Sequence, residues 1–275
     1  MKHEIIYFDN TDDRVFLDTY AAIDPLMAKR DAMLVIPGGG YAHVCADREG
    51  EYIALAFCAK GMNCFVLTYS VGEDAVYPRQ LLDAARAMAY IKAHADEYNI
   101  NPDRIFGVGF SAGGHLLGTL TTLHNEAEAL LGLPEDYLKL SGSIFSYAVI
   151  SAFVDNTHGG TYRNLMKKPF EEYTEEERIH FSIEKNINEN TPPAFIWHTA
   201  GDKAVPPAGS LALAEAYVRA GVPVELHLYP YGPHGIALAT EFTSHNREDF
   251  VQPLADGWVD EAYRWIHTLP KNKNN

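Results

Sequence analysis

The sequence predicts an α/β fold, a mostly parallel central sheet of about eight strands with helices on both faces. Three observations carry this. Short apolar, β-branched runs alternate with longer segments of helical periodicity. The central runs are apolar throughout instead of alternating with polar residues. A single serine stands in a glycine-rich turn between one such run and the helical segment after it. Strands that are apolar on both faces need cover on both faces, and crossover helices supply it.

In chain order, strands are expected at residues 4–8, 15–20, 32–37, 63–69, 104–110, 142–150, 193–199 and 223–229. The first two are joined by the short polar "DNTDDR", which predicts an antiparallel hairpin at one sheet edge. Helices are expected at residues 49–60, 78–98, 112–124, 208–220 and 254–267. In the second, Leu81, Leu82, Ala85, Met88, Ala89 and Ile91 recur at helical spacing, and Pro78 suits a first turn. Residues 153–192 break the rhythm. They are polar and aromatic, carry the acidic run "EEYTEEE" and hold no strand. A cap or lid insert and a solvated surface excursion are both open readings of so long a segment. Nothing marks a second domain.

The chain has 275 residues, 47% of them hydrophobic and 12% aromatic, enough for a large core without staples. Its net charge of -15 sets it against polyanions, so neither nucleic acid nor an anionic membrane is an expected partner. Three cysteines without C-x-x-C spacing make neither a disulfide framework nor a zinc knuckle. The start "MKHEIIYFDNTDDR" lacks the basic and apolar regions of a signal peptide, and no apolar run approaches membrane-spanning length. A cytoplasmic setting is expected. The "KNKNN" tail is expected to fray. The sequence leaves the oligomeric state open, a homo-oligomer included.

The serine is Ser111, in "GVGFSAGGH". Strand, serine and helix follow at once, the context that G-x-S-x-G requires. Gly109 and Gly113 remove side chains that would collide at the bend, and the helix N-terminus favours negative charge beside the hydroxyl. The competing role is an ordinary helix N-cap. A serine nucleophile needs a histidine base held by a carboxylate. Of twelve histidines, His234 follows the last strand in "YPYGPHGIAL", where the order Ser…Asp…His expects the base. Asp202, in "AGDKAVPP" after the seventh strand, is the expected acid, with Asp155 its rival. His198, Asp202 and His234 could instead ligate a metal, but no recognised ligand spacing supports that. For the oxyanion, the glycines of "VIPGGGYAH" allow the Gly39 and Gly40 amides to approach a substrate oxygen, and Ala112 follows the serine.

With these features in one order, the chain resembles the α/β-hydrolase superfamily from about residue 30 to 268. The segments "IPGGGY", "NPDRIFGVGFSAGGHL", "TPPAFIWHTAGDKAVPP" and "GVPVELHLYPYGPHGIALA" resemble its acetyl xylan esterase-like branch, related to hormone-sensitive-lipase-type esterases. The resemblance implies a carboxylic ester hydrolase for small acyl groups, often acetyl groups on sugars, with no cofactor. Two departures weaken a lipase reading. Pro37 stands where the lipase-type pattern has histidine, and Phe110 where it has an acid. Tyr41, Tyr162, Phe170 and Tyr173 are candidates to wall the alcohol side, with core packing as the alternative. The rival functions are a serine peptidase on the same fold, a lipase-like esterase of broad specificity and a binding module with a spent site.

Overall fold

The computed structural model describes residues 1–9, 12–23, 26, 28–73, 75–154 and 159–270. Eight strands, β1 (Lys2–Asp9), β2 (Asp12–Ala21), β3 (Arg30–Ile36), β4 (Asn63–Thr68), β5 (Ile100–Phe110), β6 (Gly142–Ser146), β7 (Ala194–Thr199) and β8 (Val224–Tyr229), form one sheet in the order β1-β2-β4-β3-β5-β6-β7-β8. The β1–β2 hairpin is antiparallel and occupies one edge, and β2 meets β4 antiparallel. Every other pairing is parallel. The expected fold class and edge hairpin are both present.

The apolar central strands split their side chains between two cores. Leu34 and Ile36 of β3 pack with Leu81, Met88 and Leu117 on one face. Met33 and Val35 pack with Phe57, Trp197 and Trp258 on the other. The helices over the first face include α3 (Arg79–Ala93), α4 (Ser111–Leu131) and α7 (Ala208–Ala220), and those over the second include α2 (Glu51–Cys58) and α8 (Trp258–Thr268). This period-two division is what a covered sheet imposes on a strand without polar positions.

Several boundaries differ from expectation for identifiable reasons. The first predicted helix divides at Gly50 into α1 (Ala46–Glu49) and α2. Strand β5 starts at Ile100, which pairs with Arg30 before an irregularity in the register. Strand β6 stops at Ser146 because Tyr147 takes a left-handed φ of +35° and turns the chain off the sheet. Helix α4 bends at Leu123, close to its expected end, and continues to Leu131, where Gly132 at φ +66° closes it. Residues 254–257 are turn, and α8 begins only at Trp258.

The described part of the 153–192 segment holds short helices joined by turns. It forms α5 (Gly159–Met166) and α6 (Glu175–His180), with single 3₁₀ turns at Phe170–Glu172 and Ile183–Lys185. A capping box between Thr174 and Glu177 starts α6. Asn164 Nδ2 donates to the Gly40 carbonyl at 2.8 Å, tying the segment to the glycine loop after β3. Asp155 and the "KNKNN" tail lie outside the described residues.

Candidate active site

Ser111 is the first residue of α4, directly after β5, and its φ of +51° is left-handed. A non-glycine residue holds that conformation only where its surroundings impose it. The surroundings are backbone. A Cβ on Gly109 would sit 2.5 Å from the Gly113 carbonyl oxygen, and one on Gly113 would sit 2.2 Å from that of Pro37. The glycines are therefore clearance for three chain segments crossing at the serine.

The Ser111 hydroxyl lies 2.9 Å from His234 Nε2, and His234 Nδ1 lies 2.7 Å from Asp202 Oδ2. The carboxylate can only accept, so Nδ1 carries the imidazole proton and Nε2 accepts from the serine O–H. His234 stands on the loop after β8, between glycines at φ +120° (Gly232) and +80° (Gly235). The edge of the Tyr147 ring meets it at a centroid distance of 5.0 Å.

Asp202 is buried and richly supplied with donors. Its Oδ1 accepts the Ala204 and Val205 amides at 2.8 and 2.9 Å, and its Oδ2 also accepts from His198 Nε2 at 3.1 Å. Burial alone would raise its carboxyl, but the hydrogen bonds from His198 and His234 outweigh it and hold it well below the usual carboxylate range. His198 is fully buried, with Nδ1 against the Ser210 hydroxyl at 2.8 Å. The three residues of the metal reading thus form a hydrogen-bonded chain through one oxygen. Among the described residues no cluster of three His, Cys, Asp or Glu side chains could hold a metal ion.

The glycine loop after β3 reaches the same place. Gly39 and Gly40 have φ of +127° and +63°, and a Cβ on Gly39 would meet the His43 carbonyl oxygen at 2.1 Å. The Gly38 amide donates to Glu49 Oε2 at 2.8 Å. Ala112 follows Ser111 in the first turn of α4, where helix geometry gives an amide no acceptor. Ser111, His234, Gly39 and Gly40 together line a cavity of about 340 Å³.

Four predicted wall residues are not there. Tyr41, Tyr162, Phe170 and Tyr173 are buried and belong to the core. Tyr162, Phe170 and Tyr173 pack against one another with tilted and edge-on rings, and the Tyr41 hydroxyl bonds His115 Nδ1 at 2.8 Å. Aromatic pairs of this kind add about 0.5–1.5 kcal/mol beyond the area they bury, which favours the core placement. The other walls of the cavity are His43, Cys45, Arg48, Thr161, Ala204 and Val205. Burial pushes the Cys45 thiol up to about 11, which favours its protonated form, and its Sγ lies 3.3 Å from His43 Nε2. Sequence reasoning also missed Glu49, Tyr147 and the bond from His198. No pattern separates Glu49 from a solvated acid, whereas the four-residue spacing of His198 and Asp202 across a tight turn was visible.

The sequence pattern of the BD-FAE family matches residues 17–217, which include the glycine loop, Ser111 and Asp202. This chain belongs to the BD-FAE family. As a BD-FAE member it is 38% identical over 249 residues to endo-1,4-beta-xylanase B of Butyrivibrio fibrisolvens, covering 88% of this chain and 36% of that one. It is 27% identical over 248 residues to the acetylxylan esterase of Xylanibacter ruminicola, covering 89% of this chain and 47% of the relative. The chain thus spans less than half the length of either curated relative. The crystal structure of MGS-M1, an alpha/beta hydrolase enzyme from a Medee basin deep-sea metagenome library, is 33% identical and superposes with a TM-score of 0.79 over 98% of both chains. The BD-FAE chain therefore has the α/β-hydrolase fold. None of its described helices is long and apolar enough to cross a membrane.

Proposed function

We propose that this protein is a serine carboxylic ester hydrolase that removes short acyl groups, acetyl above all, from the hydroxyl groups of sugars or xylo-oligosaccharides. The observation that carries the reading is the chain Ser111 Oγ, His234 Nε2, His234 Nδ1, Asp202 Oδ2, with spacings of 2.9 and 2.7 Å, opening onto a cavity lined by Gly39 and Gly40. The name of the Xylanibacter ruminicola relative, an acetylxylan esterase, supports the acyl group and the sugar.

In the first step His234 Nε2 takes the Ser111 proton as Oγ bonds the ester carbonyl carbon. Asp202, held ionised by four donors, stabilises the imidazolium and keeps its ring oriented. The Gly39, Gly40 and Ala112 amides receive the negative oxygen. His234 then gives its proton to the leaving alcohol oxygen, and the acyl group stays on Ser111. Water, deprotonated by the same nitrogen, attacks the acyl carbon; the bond to Ser111 Oγ then breaks, His234 returns the proton to that oxygen, and the acid is released. The positive end of α4 favours negative charge at this point throughout.

Chromogenic p-nitrophenyl esters from acetate to octanoate, with short aminoacyl amides beside them, test the reading. Acetate turnover that declines as the chain lengthens supports it. Amide turnover without ester turnover overturns it in favour of a peptidase, and a preference for octanoate moves the acyl assignment to a lipase-like esterase.

A further inference from the structure

The four aromatic residues expected to meet a sugar ring are buried, so any aromatic platform for the alcohol side lies elsewhere. His234 has a second face. The Ser111 cavity and an open groove of about 560 Å³ share Ala204 and His234 as a common wall. An alcohol leaving through His234 therefore borders directly on that groove.

The groove is built from Lys203, Tyr231, Arg247, Asp249 and Gln252. Tyr231 leaves 68% of its surface exposed, although it lies only three residues before the half-buried His234. Its backbone is held from several sides. Pro230 and Pro233 flank its loop, the Gly232 carbonyl accepts from Thr199 Oγ1 at 2.8 Å, and the Tyr229 carbonyl accepts from the Ala200 amide at 2.7 Å. An aromatic ring exposed on a fixed backbone is a preorganised contact surface, since little loop entropy is lost when something lies on it. The polar rim suits a neutral, hydroxyl-rich ring. Arg247 grips Asp249 through two hydrogen bonds of 3.2 and 2.7 Å, which places donors and acceptors side by side. Gln252 spends its Nε2 on the Asp249 carbonyl at 2.8 Å, so its own oxygen remains to accept a hydroxyl.

We propose that this groove is a subsite for sugar rings beyond the acylated one, with Tyr231 as its stacking platform, so that the enzyme prefers acylated oligosaccharides to acylated monosaccharides. The assignment rests on the ester hydrolase reading for its catalytic consequence, and on the groove alone for binding. It makes Tyr231 a specificity-determining residue outside the reacting atoms.

Two measurements on wild type, Tyr231→Ala and Tyr231→Trp test it. The first compares kcat/KM for p-nitrophenyl acetate, acetylated xylose and acetylated xylotriose. Tyr231→Ala should lower the xylotriose value about tenfold, through KM, and leave p-nitrophenyl acetate within about twofold, as expected when partial aromatic burial is lost. Tyr231→Trp should retain the xylotriose preference. The second titrates unacetylated xylotriose into Ser111→Ala, with and without Tyr231→Ala, by calorimetry. Binding that disappears with the ring supports the subsite. Equal losses on all three esters, or xylotriose kinetics and binding indifferent to Tyr231→Ala, overturn it. If the wild type hydrolyses no ester, the ester reading fails, and the calorimetric titration still decides the subsite.

Discussion

Glu49 and Tyr147 share a buried hydrogen bond of 2.7 Å, from the tyrosine hydroxyl to Glu49 Oε1. Each is also anchored to a different part of the site. Glu49 Oε2 holds the Gly38 amide of the glycine loop, and the Tyr147 oxygen accepts the Ala237 amide at 3.2 Å, three residues beyond His234. Burial and then the nearby Glu49 charge push the Tyr147 hydroxyl well above its ordinary range, so it stays protonated and donates. The pair fastens the glycine loop, proposed to receive the oxyanion, to the loop that carries His234, the proposed base. Tyr147→Phe leaves Glu49 Oε1 and the Ala237 amide without this partner, at a cost of about 1–3 kcal/mol in stability. A misplacement of loops this close to the chemistry should lower kcat by about ten- to a hundredfold with KM little changed. Steady-state kinetics beside urea unfolding separate the two effects; a loss of stability at full kcat would reduce the pair to packing.

His198 should act through Asp202. His198→Phe keeps a ring in the space but removes the 3.1 Å bond to Asp202 Oδ2 and the 2.8 Å contact with Ser210. The expected result is a lower kcat with KM held, partly restored in His198→Gln, whose amide can still donate. Identical kinetics for wild type and His198→Phe would assign His198 to the core alone.

Stability should fall in mild acid because of His115. Burial holds its imidazole down at about 4 in the fold, against about 6.5 in an unfolded chain. Its Nδ1 faces the Tyr41 hydroxyl and its Nε2 the Phe181 carbonyl, with His180 as a further like charge. The folded value is depressed, so below about pH 6.5 the unfolded chain binds a proton that the native one refuses. The group's contribution is fully present above that pH and is lost towards pH 4, up to about 3 kcal/mol. Urea titrations at pH 7 and pH 4.5 should show the drop, and His115→Gln should flatten it. An unchanged slope in that variant would remove His115 from the account.

Gly113→Ala should be among the most damaging substitutions of a small residue. Its methyl would lie 2.2 Å from the Pro37 carbonyl oxygen and 2.3 Å from that of Ile36, both backbone atoms that cannot swing aside. Overpacking of this kind costs about 3 kcal/mol. Gly160→Ala, with open space around it, is the control and should unfold with the wild type.

Much of this site was legible in the sequence because its chemistry is punctuated by backbone. Strand, Ser111 and helix are consecutive, and the residues proposed as acid and base follow strands that are apolar enough to recognise, so Asp202 and His234 stand at marked loop positions. What stayed hidden depends on long-range packing. Glu49 and Tyr147 are 98 residues apart, and only the closed fold brings an acid on a short helix to a tyrosine leaving the sheet. The aromatics of residues 153–192 misled for the same reason. Tyr162 and Tyr173 look the same in sequence whether they face a ligand or each other, and here the Tyr173 hydroxyl bonds the Tyr162 carbonyl at 2.5 Å.

Pre-steady-state hydrolysis of p-nitrophenyl acetate in substrate excess, with mass spectrometry of the acid-quenched and digested protein, decides whether Ser111 is the nucleophile. Wild type should release p-nitrophenol in a burst and carry one transient acetyl group on the peptide that contains Ser111. Ser111→Ala should lose the adduct and about four or more orders of magnitude in kcat while folding normally. A Ser111→Ala protein that cleaves the ester at the wild-type rate, or a wild-type adduct on any other residue, would rule Ser111 out as the nucleophile.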